Sequence, residues 1–214
     1  MAKKSLTLNP WISIWAKPQK TIREIVKFDT NYRLLVLAFL YGFPMLLQIA
    51  QNLSLGEDYS LTGILIGSAI LALGIGLLEI TVLSGLIYWT GKWIGGKGSY
   101  QQVRTSVAWS NVPNILMIFG WFLLLTNLAE DTFIQQKMEN IFKVDPSIVE
   151  VVGILQVIAA IWALLILIKG LAQIQKFSSW KSILNLFIPA ALVVVGVWAS
   201  TWVYWFIGEL LAYV

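Results

Sequence analysis

Five long apolar stretches alternate with short polar segments along this chain of 214 residues. Each stretch is long enough to cross the hydrocarbon core of a bilayer, which is about 30 Å thick and takes roughly 20 helical residues. The pattern therefore predicts an all-α integral membrane protein built as a bundle of five transmembrane helices. The predicted spans are residues 34–50, 61–89, 107–128, 148–168 and 184–213.

The segment before the first span, residues 1–33, has a different pattern, and we call it the arm. Apolar side chains at positions 11, 15, 18, 22, 25 and 26 form a stripe at helical spacing, which is opposed by Lys17, Lys20, Arg23 and Lys27. An amphipathic helix of this kind lies in the headgroup plane of an anionic membrane surface. We expect it to anchor the protein at the interface or, alternatively, to sense the membrane or bind a partner. The chain thus divides into the arm and a five-span membrane domain, residues 34–214.

Basic residues are distributed unevenly between the polar segments. Thirteen of the 15 Lys and Arg residues lie in the arm and around the segments that follow spans two and four. Because cytoplasmic loops carry the excess of Lys and Arg, this distribution predicts a cytoplasmic N-terminus and a C-terminus outside. The chain has a net charge of +4, but its basic residues are explained by their position in the loops on one side of the membrane. We therefore expect no nucleic-acid partner.

The composition agrees with a membrane protein and restricts the possible chemistry. Apolar residues make up 58% of the chain and charged residues 12%, against about a quarter charged in soluble proteins. Histidine and cysteine are absent, which excludes imidazole bases, thiolate nucleophiles and the usual zinc ligands. We therefore expect no catalytic residue, no metal site, no cofactor and no enzymatic activity. A membrane enzyme that uses carboxylates, Lys or Ser alone is the least favoured alternative.

One ionisable residue, Glu79, lies deep within a predicted span. Ser68, Ala72 and Gly76 share its sector of the helix, and small side chains let neighbouring helices approach closely. This face is therefore expected inside the bundle. Counting the helical rise from each span end gives four polar residues at a similar depth in other spans. The candidate polar core comprises Glu79, Gln48, Gln156, Ser200 and Thr201.

An acidic side chain in a membrane is costly, so it is seldom there without a partner or a task. The functional interpretation of Glu79 is an ion, proton or ligand site. The structural interpretation is a neutral carboxylic acid hydrogen-bonded to a glutamine.

Residues 93–115 form a glycine-rich interruption that leads into a proline-bearing apolar run. Gly95, Gly96 and Gly98 are suited to ending the second span, since glycine tolerates left-handed conformations. Pro113 should kink the third span and free the carbonyl of Trp109, which nearby polar side chains are expected to satisfy. No phosphate-binding pattern is present. The candidate cytoplasmic face comprises Trp11, Trp15, Pro18, Gly95, Gly96, Tyr100, Trp109, Ser110, Asn111 and Pro113.

Three segments resemble the Yip domain family, the Rab-interacting Yip-type membrane proteins and their bacterial relatives. They are NPWISIWAKPQKTI in the arm, GGKGSYQQVRTSVAWSNVP after the second span, and the late segment KFSSWKSILNLFIPA, which runs into the fifth span. The resemblance implies a non-enzymatic multi-pass membrane protein, of a family linked in eukaryotes to vesicle trafficking and membrane shaping. The arm is much shorter than the cytosolic tails of eukaryotic members, which favours a bacterial protein of the cytoplasmic (inner) membrane.

Two functions of different classes follow from these observations. The first is a membrane scaffold or adaptor, whose partners would be the lipid bilayer and a membrane protein or a second copy of the chain. The second is a small transporter or channel component that uses the polar core around Glu79.

Overall fold

A computed structural model describes residues 6–134 and 147–212 of the chain, with side chains as far as Trp202. Within these ranges every regular element is helical, which confirms the all-α prediction. Short 3₁₀ turns join some of the helices at Leu55–Glu57, Val112–Ile115 and Ala129–Phe133. The α-helices are α1 Pro10–Ala16, α2 Pro18–Phe28, α3 Leu34–Asn52, α4 Leu61–Trp93, α5 Tyr100–Ser110, α6 Leu116–Leu128, α7 Ser147–Gln175 and α8 Ser179–Ala212.

Five helical segments of the described chain are long and apolar enough to cross a membrane, as the sequence pattern predicts. Four are single helices, α3, α4, α7 and α8. The third span is composite, because α5, the Val112–Ile115 turn and α6 follow one another over Tyr100–Phe133. The predicted third span, residues 107–128, therefore begins inside α5.

Helices α3 and α4 pack backbone to backbone at small residues. A Cβ atom added at Gly42 would overlap the carbonyl oxygen of Ala72, and one added at Gly76 would overlap that of Ala38. The predicted small-residue face of α4 is buried in this contact: Ser68 is 7% exposed and Ala72 is fully buried. Lipid offers no hydrophobic drive between helices, so such close van der Waals contact is what holds them together.

Two apolar clusters fill the bundle, one toward each end. The first joins the arm to the membrane helices through Ile22, Val107 and Ile166 among others. We call this the basic end, because the arm, the glycine-rich connector (residues 94–99) and the turn before α8 carry most of the basic residues there. The second cluster lies at the opposite end, where the rings of Trp121 and Phe133 stack 5.7 Å apart.

The third span is interrupted where a proline kink is predicted. Helix α5 ends at Ser110, and Pro113 lies at the start of the following 3₁₀ turn, where its missing donor costs little. The side chains of Ser110 and Asn111 donate to the carbonyl of Val107, at 2.8 and 3.3 Å. The prediction that they satisfy the carbonyl of Trp109 is wrong, because the helix stops before a kinked turn can form.

The arm folds as two helices, so the predicted apolar stripe is shared between them. Asn9 caps α1 by accepting from the backbone N–H of Trp11 at 3.1 Å. Lys17 breaks the helix with φ −132°, and Pro18 occupies the first position of α2. Proline fits there because the first turn of a helix has no use for its missing N–H group.

The glycines of α4 provide a matched test of the α3–α4 contact. We expect Gly76→Ala to lower the unfolding free energy by about 1–3 kcal/mol, the range for overpacking a close contact. Gly74→Ala is the control, because a Cβ there meets nothing within 4 Å. Thermal unfolding of the purified variants in one detergent measures both, and equal stability of the two would contradict the contact.

Candidate functional site

An aromatic cluster joins the arm to the third span. Trp109 of α5 is 1% exposed, and its ring lies 5.1 Å from that of Trp11 in α1, tilted by 58°. The ring of Tyr32, from the turn after α2, stacks on Trp109 at 6.1 Å. Aromatic pairs in such geometries contribute roughly 0.5–1.5 kcal/mol beyond their buried area. Two residues of the candidate cytoplasmic face, Trp11 and Trp109, are therefore in direct contact.

Polar contacts fix the orientation of the arm as well. The hydroxyl of Thr105 donates to the carbonyl of Thr30 at 2.7 Å, and Arg104 donates to the side chain of Asn31. On the other side, the indole Nε1 of Trp162 in α7 donates to the carbonyl of Trp15 at 3.2 Å. The arm is thus hydrogen-bonded to both α5 and α7.

The apolar face of the arm is covered by protein. Ile14, Ile22 and Ile25 are fully buried against α5 and α7. The predicted amphipathic pattern is correct, but its apolar stripe packs on the bundle rather than on lipid. The physical reason is that the bundle offers a complementary apolar surface. Gly170 of α7 lets α5 pack closely at this surface, because a Cβ atom there would overlap the hydroxyl of Ser106.

The start of the described chain is tied to α2 by a carboxylate. The Thr7 hydroxyl donates to both oxygens of Glu24 at 2.8 Å, and the amide of Leu8 donates to one of them at 3.3 Å. The Thr7 hydrogen bond, helped by the amide and by the charge of Lys20, holds the pKa of Glu24 below its ordinary value. Glu24 is therefore charged at neutral pH.

The glycine-rich connector is held against the end of α7. Gly95 has a φ of +86°, and Gly96 donates its N–H to the carbonyl of Gly91 at 2.8 Å, which closes α4. The Gln175 side chain accepts from the N–H of Gly98 at 3.0 Å. A Cβ at Gly96 would overlap that same side-chain oxygen, so only glycine lets the connector lie this close.

Sequence reasoning missed the polar cluster beneath the connector. Gln175 and Asn185 are fully buried, and Thr90 donates to the side-chain oxygen of Asn185 at 3.1 Å. These residues link α4, α7 and α8 at the basic end. The available signal was weak, because each residue lies near a span end, where polar side chains are ordinary.

The remaining residues of the candidate face do not join the aromatic cluster. Pro18 opens α2, and Pro113 is buried in the turn after α5. The Tyr100 hydroxyl donates to the carbonyl of Thr81 at 3.3 Å, and its ring packs on that of Tyr88. Tyr100 therefore contacts α4.

Glu79 has a partner on the neighbouring helix. The Tyr41 hydroxyl of α3 donates to Glu79 Oε1 at 2.7 Å, while Glu79 Oε2 is buried and has no partner among the described residues. This contact follows from the close α3–α4 packing one turn away. It resembles the structural interpretation of Glu79, with a tyrosine in place of the predicted glutamine.

The other members of the candidate polar core fall into two groups. Gln48 and Gln156 line a cavity of about 270 Å³, which Tyr41 and Asn114 also border. Ser200 and Thr201 lie exposed on α8 and donate to carbonyls of their own helix at 2.7 Å. A similar depth in the bilayer does not fix the direction in which a side chain points, and α8 turns these two away.

Five membrane-length helices, a docked amphipathic arm and a glycine-rich connector define an α-helical multi-pass membrane protein. The family comparison agrees with this architecture, since a model of the Yip1 domain matches residues 12–211. The chain therefore belongs to the Yip1 domain family. A search of curated proteins and a search of solved structures found no significant match.

The Tyr41–Glu79 hydrogen bond can be tested by removing one oxygen atom. We expect Tyr41→Phe to destabilise the protein by about 1–3 kcal/mol, because both carboxyl oxygens of Glu79 then lack a partner. Tyr59→Phe is the matched control, since Tyr59 is 61% exposed. Detergent-solubilised variants are compared by thermal unfolding, and a Tyr41→Phe protein as stable as its control would argue against the bond.

Proposed function

We propose that the protein is a non-enzymatic membrane scaffold or adaptor whose basic end recruits a membrane-protein partner or a second copy of the chain. The docked arm carries this proposal. The apolar side of the arm packs inside the protein, which fixes the orientation of its opposite side. That opposite side exposes Lys20, Arg23 and Lys27. A rigid, preformed surface loses little entropy on binding, which favours a recognition role.

We further propose that the basic end faces the cytoplasm of a bacterial inner membrane, with the C-terminus outside. The excess of Lys and Arg at this end supports the orientation. Membership of the Yip1 domain family supports the membrane location.

Photo-crosslinking from the two ends of the bundle tests the scaffold proposal. A photoreactive residue at Arg23 or Lys97 samples the basic end, and one at Tyr59 samples the opposite end; all three positions are exposed. We expect a defined protein adduct from Arg23 and Lys97 in intact cells and none from Tyr59. Adducts of equal yield at both ends, or no adduct at the basic end, would overturn the proposal.

A variant pair links the adduct to arm docking. Ile22→Asp places a charge in the buried face of the arm and should abolish the adducts by releasing it. Ile12→Asp is the control, because Ile12 is 72% exposed on the same arm and its change should leave the adducts intact. Circular dichroism shows whether the membrane helices persist in both variants.

A transporter or channel component is the second candidate, favoured by the cavity beside Tyr41 that Gln48 and Gln156 line. Protein reconstituted in liposomes would then show an ion or solute flux, and Glu79→Gln would abolish it. A flux that survives Glu79→Gln, or no flux across a broad panel of ions and solutes, would reject this candidate. The scaffold proposal requires no flux.

A further inference from the structure

A pocket lies where the arm crosses α7. Its volume is about 370 Å³, within the range of about 300–1,000 Å³ for ligand sites. One wall is the junction of α1 and α2, and the other is the C-terminal half of α7. The hydrogen bond from Trp162 to the carbonyl of Trp15 holds the two walls together. The lining residues are Trp15, Ala16, Lys17, Pro18, Gln19, Lys20, Trp162, Leu165, Ile166 and Lys169.

The polar part of the pocket is cationic. Lys17, Lys20 and Lys169 all line it, and each is exposed. Within the described ranges neither Lys17 nor Lys169 forms an ion pair. The charge of Lys20, in contrast, interacts with the carboxylate of Glu24. The first turn of α2 also lines the pocket, through Pro18, Gln19 and Lys20. This arrangement favours an anionic group.

The rest of the pocket is apolar and continues along α7. Ile158, Trp162, Leu165 and Lys169 follow one another at helical spacing on one face. The three apolar members are 42–50% exposed, so the bundle leaves this stripe uncovered. It runs for about 16 Å from Lys169 to Ile158 at 1.5 Å per residue. An apolar stripe of that length, with a cationic end, matches an acyl chain below a charged headgroup.

We propose that this pocket binds an anionic phospholipid. The phosphate lies between Lys17 and Lys169 beside the first turn of α2, and one acyl chain follows the apolar stripe of α7. Trp15 and Trp162 lie at the level between headgroup and chain, where indole rings are favoured. The site goes beyond the scaffold proposal and does not depend on a protein partner. A lipid held here would contact the arm and the bundle together.

Native mass spectrometry of the full chain tests the site. The delipidated protein is titrated in a neutral detergent with dioleoyl phosphatidylglycerol and with dioleoyl phosphatidylcholine, which differ only in headgroup. We expect the anionic lipid to bind more tightly. One lysine near an anionic lipid corresponds to about a fivefold change in affinity, so Lys17→Gln with Lys169→Gln should weaken phosphatidylglycerol binding about 25-fold.

Three controls separate this site from general attraction to a basic surface. Lys97→Gln with Lys176→Gln removes the same charge from exposed positions outside the pocket and should leave affinity unchanged within about twofold. Lys17→Arg with Lys169→Arg keeps the charge and should retain binding. Free glycerol phosphate should compete only at far higher concentration than the lipid, because it lacks the chain.

The outcomes are decisive in either direction. Selective loss of phosphatidylglycerol binding in the Lys17 and Lys169 glutamine variant supports the site. Equal loss in the Lys97 and Lys176 variant, or wild-type affinity in the pocket variant, overturns it. Glycerol phosphate that binds as tightly as the lipid would show a free-anion site and overturn the lipid assignment. Partner crosslinking at Arg23 is independent of each result.

Discussion

The fold depends on glycines at the contacts between helices. Helices surrounded by lipid gain nothing from hiding apolar surface from one another, so they associate through close packing. Gly42 and Gly76 let α3 and α4 meet along their backbones, and Gly170 lets α5 approach α7. The Tyr41–Glu79 hydrogen bond and the surface of α5 and α7 on which the arm packs lie beside these contacts. Their geometry is set by the separations that the glycines permit.

At the basic end, hydrogen bonds supplement this packing. The side chain of Gln175 in α7 bonds to the connector, and Thr90 of α4 bonds to Asn185 of α8. Only the side-chain oxygens of Gln175 and Asn185 are paired in this way; both amide nitrogens are buried without a partner among the described residues. The arm itself rests on α5 and α7.

The sequence predicts the parts of this structure that depend on one helix alone. Runs of apolar residues locate the spans, and the spacing of Ser68, Ala72 and Gly76 identifies the buried face of α4. What depends on a second helix is predicted poorly. Tyr41 is an unremarked aromatic within an apolar run until α3 is set against α4. Ser200 and Thr201 match Glu79 in depth, but depth along a helix says nothing about its rotation.

The packing of the arm on α5 and α7 also has a consequence for the order of assembly. Ile14, Ile22 and Ile25 are buried against α5 and α7, which are made much later in synthesis than the arm itself. The ribosome releases the chain N-terminus first, so the arm is made before the helices on which it packs. Its apolar stripe has to be sheltered in the meantime, and the adjacent membrane surface offers that shelter. Arm docking therefore cannot be completed before the fourth span is in place.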